Sequence, residues 1–151
     1  MKNIIYFFFF IPLLSFSQFK ETAKEQTNTI GQFYDESANA PFSLSKTTSG
    51  YNLCFYNKVT MKSESQMICL ALNETTQSMT EFYMYVLNFF SDTEIFKSKN
   101  IENSQYIITV HKSGNFINLE FHNKFSDIRN NTAITNTFSK ENWKMLFGKS
   151  P

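Results

Sequence analysis

The chain has few of the residues on which most catalytic and cofactor sites depend. It contains four glycines, two histidines and two cysteines in 151 residues. None of the glycines forms a G-x-G-x-x-G or P-loop pattern, which argues against the loops that hold nucleotide phosphates in many enzymes. No spacing of histidines and cysteines matches a zinc site. We therefore predict that the protein has no bound nucleotide, no metal and no other cofactor.

The sequence also lacks an excess of either charge. Its 14 basic and 13 acidic residues give a formal net charge of +1. The balance becomes neutral without residues 1–17, because only Lys2 is lost (14 − 1 = 13 basic residues). A basic surface for nucleic acid is absent and no run of like charges indicates a tail, so we predict no nucleic-acid partner.

Long apolar runs are absent except at the amino terminus. Residues 1–18 read MKNIIYFFFFIPLLSFSQ, with one lysine, an uncharged run from Ile4 to Leu14, and then serines. This layout is typical of a secretory signal peptide cut between Ser17 and Gln18. The run of about 11 residues is shorter than the roughly 20 needed to cross a bilayer, so we expect no integral membrane segment after signal removal. An uncleaved anchor is the alternative.

The SFSQ junction and the use of thirteen lysines against one arginine resemble exported proteins of low-GC Gram-negative bacteria. This resemblance implies only an address, an exported protein that is periplasmic or secreted. No repeat or Pro/Gly-rich linker divides the rest of the chain. We predict a signal peptide at residues 1–17 and a single α+β domain at residues 18–151.

The segment Tyr51 to Leu72 shows the alternation of a β-hairpin. Tyr51, Leu53 and Phe55 share one side of the first strand, and Ile68, Leu70 and Leu72 share one side of the second. A turn near Met61 and Lys62 pairs these two sets on one face, and a slip of one residue would separate them.

The same register places Cys54 directly opposite Cys69 on the other face. Directly opposed residues have Cα atoms within reach of a disulfide, and an oxidising compartment favours the bond. We predict a structural disulfide between Cys54 and Cys69. Free packed thiols and a redox or metal pair are the alternatives.

Three helices are predicted. The spacing of Phe19, Ala23, Ile30 and Phe33 suggests a helix over residues 19–34. An amphipathic stripe predicts a helix from Met79 to Ser91, started by a capping box of Ser78 and Glu81. A third helix begins after the N-cap Ser139, has Trp143 on its buried side and stops at Gly148.

Four further strands complete the pattern. Phe42 and Leu44 alternate with serines, and a short strand lies near Ile134. A second hairpin spans residues 106–122 with its turn at Ser113-Gly114, which pairs Val110 with Ile117. The order of elements predicts an α+β fold. We expect one antiparallel β-sheet of about five to six strands, a meander plus a hairpin, with two to three helices packed mainly on one face.

No catalytic constellation emerges from the sequence. In the predicted hairpin His111 and His122 share the outer face but lie roughly 20 Å apart, too far to share a proton or a metal ion. The remaining signal is a surplus of aromatic residues. Tyr85 and Phe89 widen the apolar face of the central helix, and Tyr56 and Phe116 lie outside the main core, so these four form a possible partner surface.

The leading hypothesis is a small exported binding or interaction domain, non-enzymatic, that acts on a protein partner in the periplasm. One alternative is a hydrolase whose site is assembled from distant residues. The other is a carrier of a small apolar ligand, which predicts a closed cavity beneath the helix Met79–Ser91.

Overall fold

A computed structural model describes residues 27–36, 38–59, 67–126 and 132–151. The predicted signal peptide at residues 1–17 and the start of the first predicted helix lie outside this part of the chain. The first four strands are β1 (Asn28–Asp35), β2 (Ala40–Lys46), β3 (Tyr51–Tyr56) and β4 (Met67–Leu72), followed by helix α1 (Thr76–Phe90). The second four are β5 (Phe96–Glu102), β6 (Tyr106–Ser113), β7 (Phe116–Asn123) and β8 (Thr132–Ile134), followed by helix α2 (Lys140–Leu146).

The strands form two antiparallel sheets. Sheet A has the order β1-β2-β3-β4 and sheet B the order β5-β6-β7-β8. The α+β class with antiparallel pairing is therefore confirmed, whereas the prediction of a single sheet of five to six strands is wrong. The described residues contain eight strands and two helices. Two meanders of four strands, each followed by a helix, make up the part of the chain that the structure describes.

The inner faces of the two sheets meet in one hydrophobic core. The ring centroids of Phe55 in β3 and Phe121 in β7 lie 5.8 Å apart. Backbone contacts join the sheets at one edge as well, where the Lys58 N–H donates to the Ile134 carbonyl over 2.9 Å. The sheets therefore share a single packed interior.

Each helix packs against the sheet that did not precede it. Helix α1 follows sheet A but contacts β6, and α2 follows sheet B but contacts β1 and β2. The helices also contact each other, and the Trp143 indole N–H donates to the Tyr83 carbonyl over 3.1 Å. Each helix thus connects its own meander to the opposite sheet.

The hairpin between β3 and β4 has the predicted register. Leu53 pairs with Leu70, Phe55 with Ile68 and Cys54 with Cys69. The hairpin between β6 and β7 differs from the prediction by two residues, because Val110 pairs with Leu119 and not with Ile117. The turn is Gly114-Asn115, with Gly114 at a φ of +60° as a type II′ turn requires at its first central residue. A shift of two keeps every side chain on its predicted face.

The predicted helix over residues 19–34 is wrong where the structure describes it, because β1 occupies Asn28–Asp35. The register of β1 shifts between Thr29 and Gly31, which makes Ile30 the extra residue of a β-bulge. The bulge lets Ile30 and Phe33 both pack toward the core. Their spacing of three was therefore mistaken for a helical period.

The predicted helices α1 and α2 are confirmed, except that α1 starts earlier than predicted. Helix α1 begins three residues earlier than predicted, with Thr75 as N-cap, and the Thr75 hydroxyl accepts the Ser78 N–H over 3.1 Å. Ser78 is thus inside the helix and does not cap it. In α2 the Ser139 hydroxyl accepts the Asn142 N–H over 3.2 Å, as predicted for the N-cap.

Candidate binding site

The two cysteines lie on the outer face of sheet A at disulfide distance. Cys54 and Cys69 are bonded in the structure, with Cα atoms 4.0 Å apart. In antiparallel sheets such a short separation belongs to non-hydrogen-bonded pairs, because hydrogen-bonded pairs have Cα atoms about 5.5 Å apart. A bonded pair is consistent with an oxidising compartment. The same pairing sets the direction of the N–H and C=O groups of β4.

Removing the disulfide is expected to lower the free energy of unfolding by about 3 kcal/mol, because the bond closes a loop of 15 residues in the unfolded chain. Urea denaturation of the variant with Cys54→Ala and Cys69→Ala would measure the loss. Reductant should destabilise the unmodified protein and leave the variant unchanged. Ready alkylation of both thiols in the unreduced protein would contradict the bond.

The backbone of β4 presents a free edge. Because Cys69 belongs to a non-hydrogen-bonded pair, its N–H and C=O point away from β3, and so do those of Met67 and Ala71 two residues to either side. Strand β4 is the last strand of sheet A. Within the described part of the chain, these six polar groups therefore face outward from the sheet.

The other three sheet edges carry features that discourage pairing with another chain. Strand β1 is bulged beside Gly31, β8 has only three residues, and β5 carries Lys97, Lys99 and Glu102. Bulges, short length and charged side chains are the usual means of protecting an edge. Strand β4, with the sequence MICLAL, has no charge, no proline and no bulge. It is the unprotected edge among those the structure describes.

A small uncharged groove lies beneath β4. Its volume is about 210 Å³, and no residue in its lining is charged. The lining consists of Ile68 and Leu70 from β4 together with Asn57, Tyr106, Phe121, Asn123, Thr132 and Ala133. An extended segment beside β4 would therefore meet apolar side chains on its inner face.

A second, larger cleft lies between α1 and the end of β5. Its volume is about 420 Å³, and its apolar lining consists of Leu72, Met79, Phe82, Tyr85, Ile101 and Ile108. Polar residues around it are Asn73, Glu74, Ser78, Glu81, Glu102, Asn103 and Ser104. Because several of these polar residues are exposed, the space beside α1 is an open cleft.

Tyr85 has an unsatisfied hydroxyl. Its oxygen is buried and has no hydrogen-bond partner among the described residues, although the ring is partly exposed. Burial raises the pKa of the Tyr85 phenol above its ordinary value, and the nearby Lys97 ammonium offsets part of that rise. The group therefore stays protonated at neutral pH and keeps both a donor and an acceptor.

The four residues of the predicted partner surface do not lie together. Phe89 is buried, and its ring centroid is 6.2 Å from that of Tyr85 on α1. Tyr56 lies in β3 opposite Met67, and Phe116 starts β7 with half of its surface exposed. Only Tyr85 borders either groove. The edge of β4 was not predicted, although its uncharged sequence was the available signal.

One polar network was also missed by the sequence analysis. His111 Nδ1 lies 2.8 Å from Ser98 Oγ, and His111 Nε2 lies 3.0 Å from Glu120 Oε2. The network crosses three strands of sheet B and borders neither groove. It was missed because β5, which carries Ser98, was not predicted.

His122 stands apart from that network. It pairs with Ile107, four residues from His111 along β6, which separates the two histidines by about 13 Å and not the predicted 20 Å. In the described residues no group of three metal-ligating side chains comes together.

Comparisons of the chain with protein-family models, curated proteins and solved structures find no match. Among the helices that the structure describes, none is long and apolar enough to span a membrane.

Proposed function

We propose that the protein is a small exported binding domain that takes up an extended segment of a partner protein at the edge of β4. The observation that carries the proposal is that, among the described edge strands, only β4 has no bulge, carries no charged residue and is longer than three residues. Export rests on the signal-like amino terminus and is consistent with the bonded cysteine pair.

Main-chain hydrogen bonds would supply the affinity. The outward N–H and C=O groups of Met67, Cys69 and Ala71 match the pattern that an added antiparallel or parallel strand requires. The disulfide at Cys69 holds β4 against β3, so little conformational freedom remains to be lost when a strand is added.

Side chains of the partner would supply the specificity. Successive residues of an added strand point to opposite faces, so every second residue would face the groove beside Ile68 and Leu70. Burying a charge in that uncharged apolar groove would be costly. The expected partner segment is therefore extended and uncharged, with apolar residues at alternate positions.

A test of strand addition uses a capped hexapeptide of alternating valine and threonine. Hydrogen exchange followed by NMR should show that this peptide protects the outward amides of Met67, Cys69 and Ala71, while those of Ile68 and Leu70 are already protected. A peptide with the same side chains but N-methylated at alternate residues, on the edge that faces β4, should not protect them. Equal binding of both peptides would contradict main-chain recognition.

A matched set of variants locates the binding site. Ala71→Pro removes an outward N–H, so we expect at least a tenfold loss of affinity, or about 1.4 kcal/mol, with little loss of stability. Ala71→Thr keeps the N–H and should bind normally. Leu70→Pro should instead destabilise the fold by more than about 2 kcal/mol, because Leu70 is bonded to β3 and packed on the core.

A second copy of the chain is the competing occupant of this edge. If the free protein is dimeric in sedimentation experiments and Ala71→Pro makes it monomeric, the edge pairs with itself and the partner segment is ruled out. Binding of the peptide to Ala71→Pro with unchanged affinity would also overturn the proposal.

A further inference from the structure

We infer that the cleft between α1 and the end of β5 binds a small organic cation, an apolar body that carries a protonated amine. This cleft shares no lining residue with the groove beneath β4. The inference therefore stands independently of strand addition at β4.

The size and lining of the cleft suit a small ligand. Its volume of about 420 Å³ lies within the range of 300 to 1,000 Å³ that is typical of small-molecule sites. Buried side chains of Leu72, Met79 and Ile108 border the cleft. Of the glutamates around it, Glu81 and Glu102 are exposed and Glu74 is partly buried. An apolar ligand body would gain by leaving water for this lining.

The charge of the cleft selects a cation. Three carboxylates border it, and among the residues that the structure describes only Glu102 is paired, with Lys124 Nζ 2.7 Å from Glu102 Oε2. Glu81 accepts a hydrogen bond from the Gln77 amide over 3.0 Å and Glu74 a long one from the Ser104 hydroxyl over 3.5 Å. Among the described residues neither has a cationic partner.

The amino end of α1 also lies at the cleft, but its partial positive charge does not make the cleft electropositive. A helix contributes roughly half a positive charge at this end, and the Thr75 hydroxyl already occupies the Ser78 N–H. The two unpaired carboxylates, Glu74 and Glu81, outweigh that contribution.

Tyr85 supplies a third contact for the same ligand. Its hydroxyl oxygen is buried, has no partner in the described part of the chain and lies near the Lys97 ammonium, so the ring and not the hydroxyl is the group open to a ligand. The rings of Phe82 and Tyr85 also border the cleft, and aromatic faces attract cations. Apolar lining, two carboxylates without a described cationic partner and two aromatic rings thus favour one ligand class.

Three probes with the same alkyl chain separate charge from apolar burial. Calorimetry at low salt should show binding of hexylammonium, weaker binding of hexanol, and no binding of hexanoate. Binding of hexanoate as tight as that of hexylammonium would overturn the inference. So would the absence of hexylammonium binding.

Variants of the cleft residues test where the probe binds. Glu74→Gln and Glu81→Gln should each weaken hexylammonium binding by about threefold, while Glu36→Gln in an exposed turn should not change it. Unchanged binding in both cleft variants would place the probe elsewhere and contradict the inference.

Substitutions at Tyr85 separate its ring from its hydroxyl. Tyr85→Leu removes the aromatic face and should weaken hexylammonium binding by about threefold. Tyr85→Phe keeps the ring, so it should bind hexylammonium normally and raise the melting temperature of the unliganded protein, because a buried unsatisfied hydroxyl is removed. Tyr34→Phe removes an exposed hydroxyl that bonds Asn39 and should not raise it. Unchanged affinity in Tyr85→Leu would refute the role of the ring.

Discussion

Replacing Trp143 by alanine is expected to lower the free energy of unfolding by about 4 kcal/mol, one of the two largest effects of a single substitution in this chain. The indole is fully buried. Its ring centroid lies 5.4 Å from those of Phe82 and Phe138 and 4.8 Å from that of Phe147. The substitution would leave a cavity among three aromatic rings where α2 meets α1.

Two controls separate the parts of this effect, with denaturation followed by circular dichroism because the variant loses the only tryptophan. Trp143→Phe keeps an aromatic ring but loses the hydrogen bond to the Tyr83 carbonyl, so we expect a smaller loss of about 2 kcal/mol. Phe125→Ala removes a ring that is 78% exposed and should change stability by less than about 0.5 kcal/mol. A loss at Trp143→Ala no larger than that at Phe125→Ala would contradict the packing.

Replacing Gly31 by alanine should destabilise the fold by about 3 kcal/mol or more. A Cβ atom at Gly31 would overlap the carbonyl oxygen of Met145 and lie 2.6 Å from that of Leu146. Both clashes are with backbone, so no side chain can rotate away to relieve them. Strand β1 and the end of α2 would have to separate.

Gly114→Ala is the matched control for this substitution. Gly114 also occupies a bend, but a Cβ atom there would have nothing within 4 Å. Its positive φ should still cost about 1 kcal/mol, since alanine disfavours that conformation. Chemical denaturation of both variants would isolate the cost of the backbone contact, and an equal loss in the two would argue against it.

The parts of the fold that were predictable have a clear local period. The alternation through Tyr51–Tyr56 and Met67–Leu72 placed Cys54 and Cys69 on one face, because any odd shift would expose the apolar set, and their direct pairing followed from the predicted position of the turn. The amphipathic stripe of α1 was equally clear. The N-cap of α1 was not, since Thr75 and Ser78 are both good capping residues and only the structure distinguishes them.

The missed elements lack such a period or depend on distant contacts. Strand β5, FKSKNIE, carries two lysines and an asparagine, so neither its composition nor its alternation indicates a strand. The bulge at Ile30 broke the alternation of β1. That the strands form two sheets and not one depends on contacts such as Phe55 with Phe121, which no local pattern specifies.

The candidate sites likewise combine features that the sequence shows with features that depend on distant contacts. The lack of charge in β4 could be seen in the sequence, but its position at a sheet edge could not. The cleft beside α1 joins residues as far apart as Leu72 and Ile108, and its β5 wall was not predicted. Tyr85 was singled out as surplus aromatic surface, whereas its unsatisfied hydroxyl emerged only from the packing.

The packing of each helix on the opposite sheet limits the order in which the chain can fold. Gly31 meets Met145, a contact between residues 114 positions apart in the sequence (145 − 31 = 114). Contacts of such long sequence separation slow folding because a large loop must close before they form. Sheet A could pair its strands early, yet β1 cannot dock on α2 until the chain has emerged beyond residue 145. Strand β1 therefore completes its packing only after helix α2 has formed.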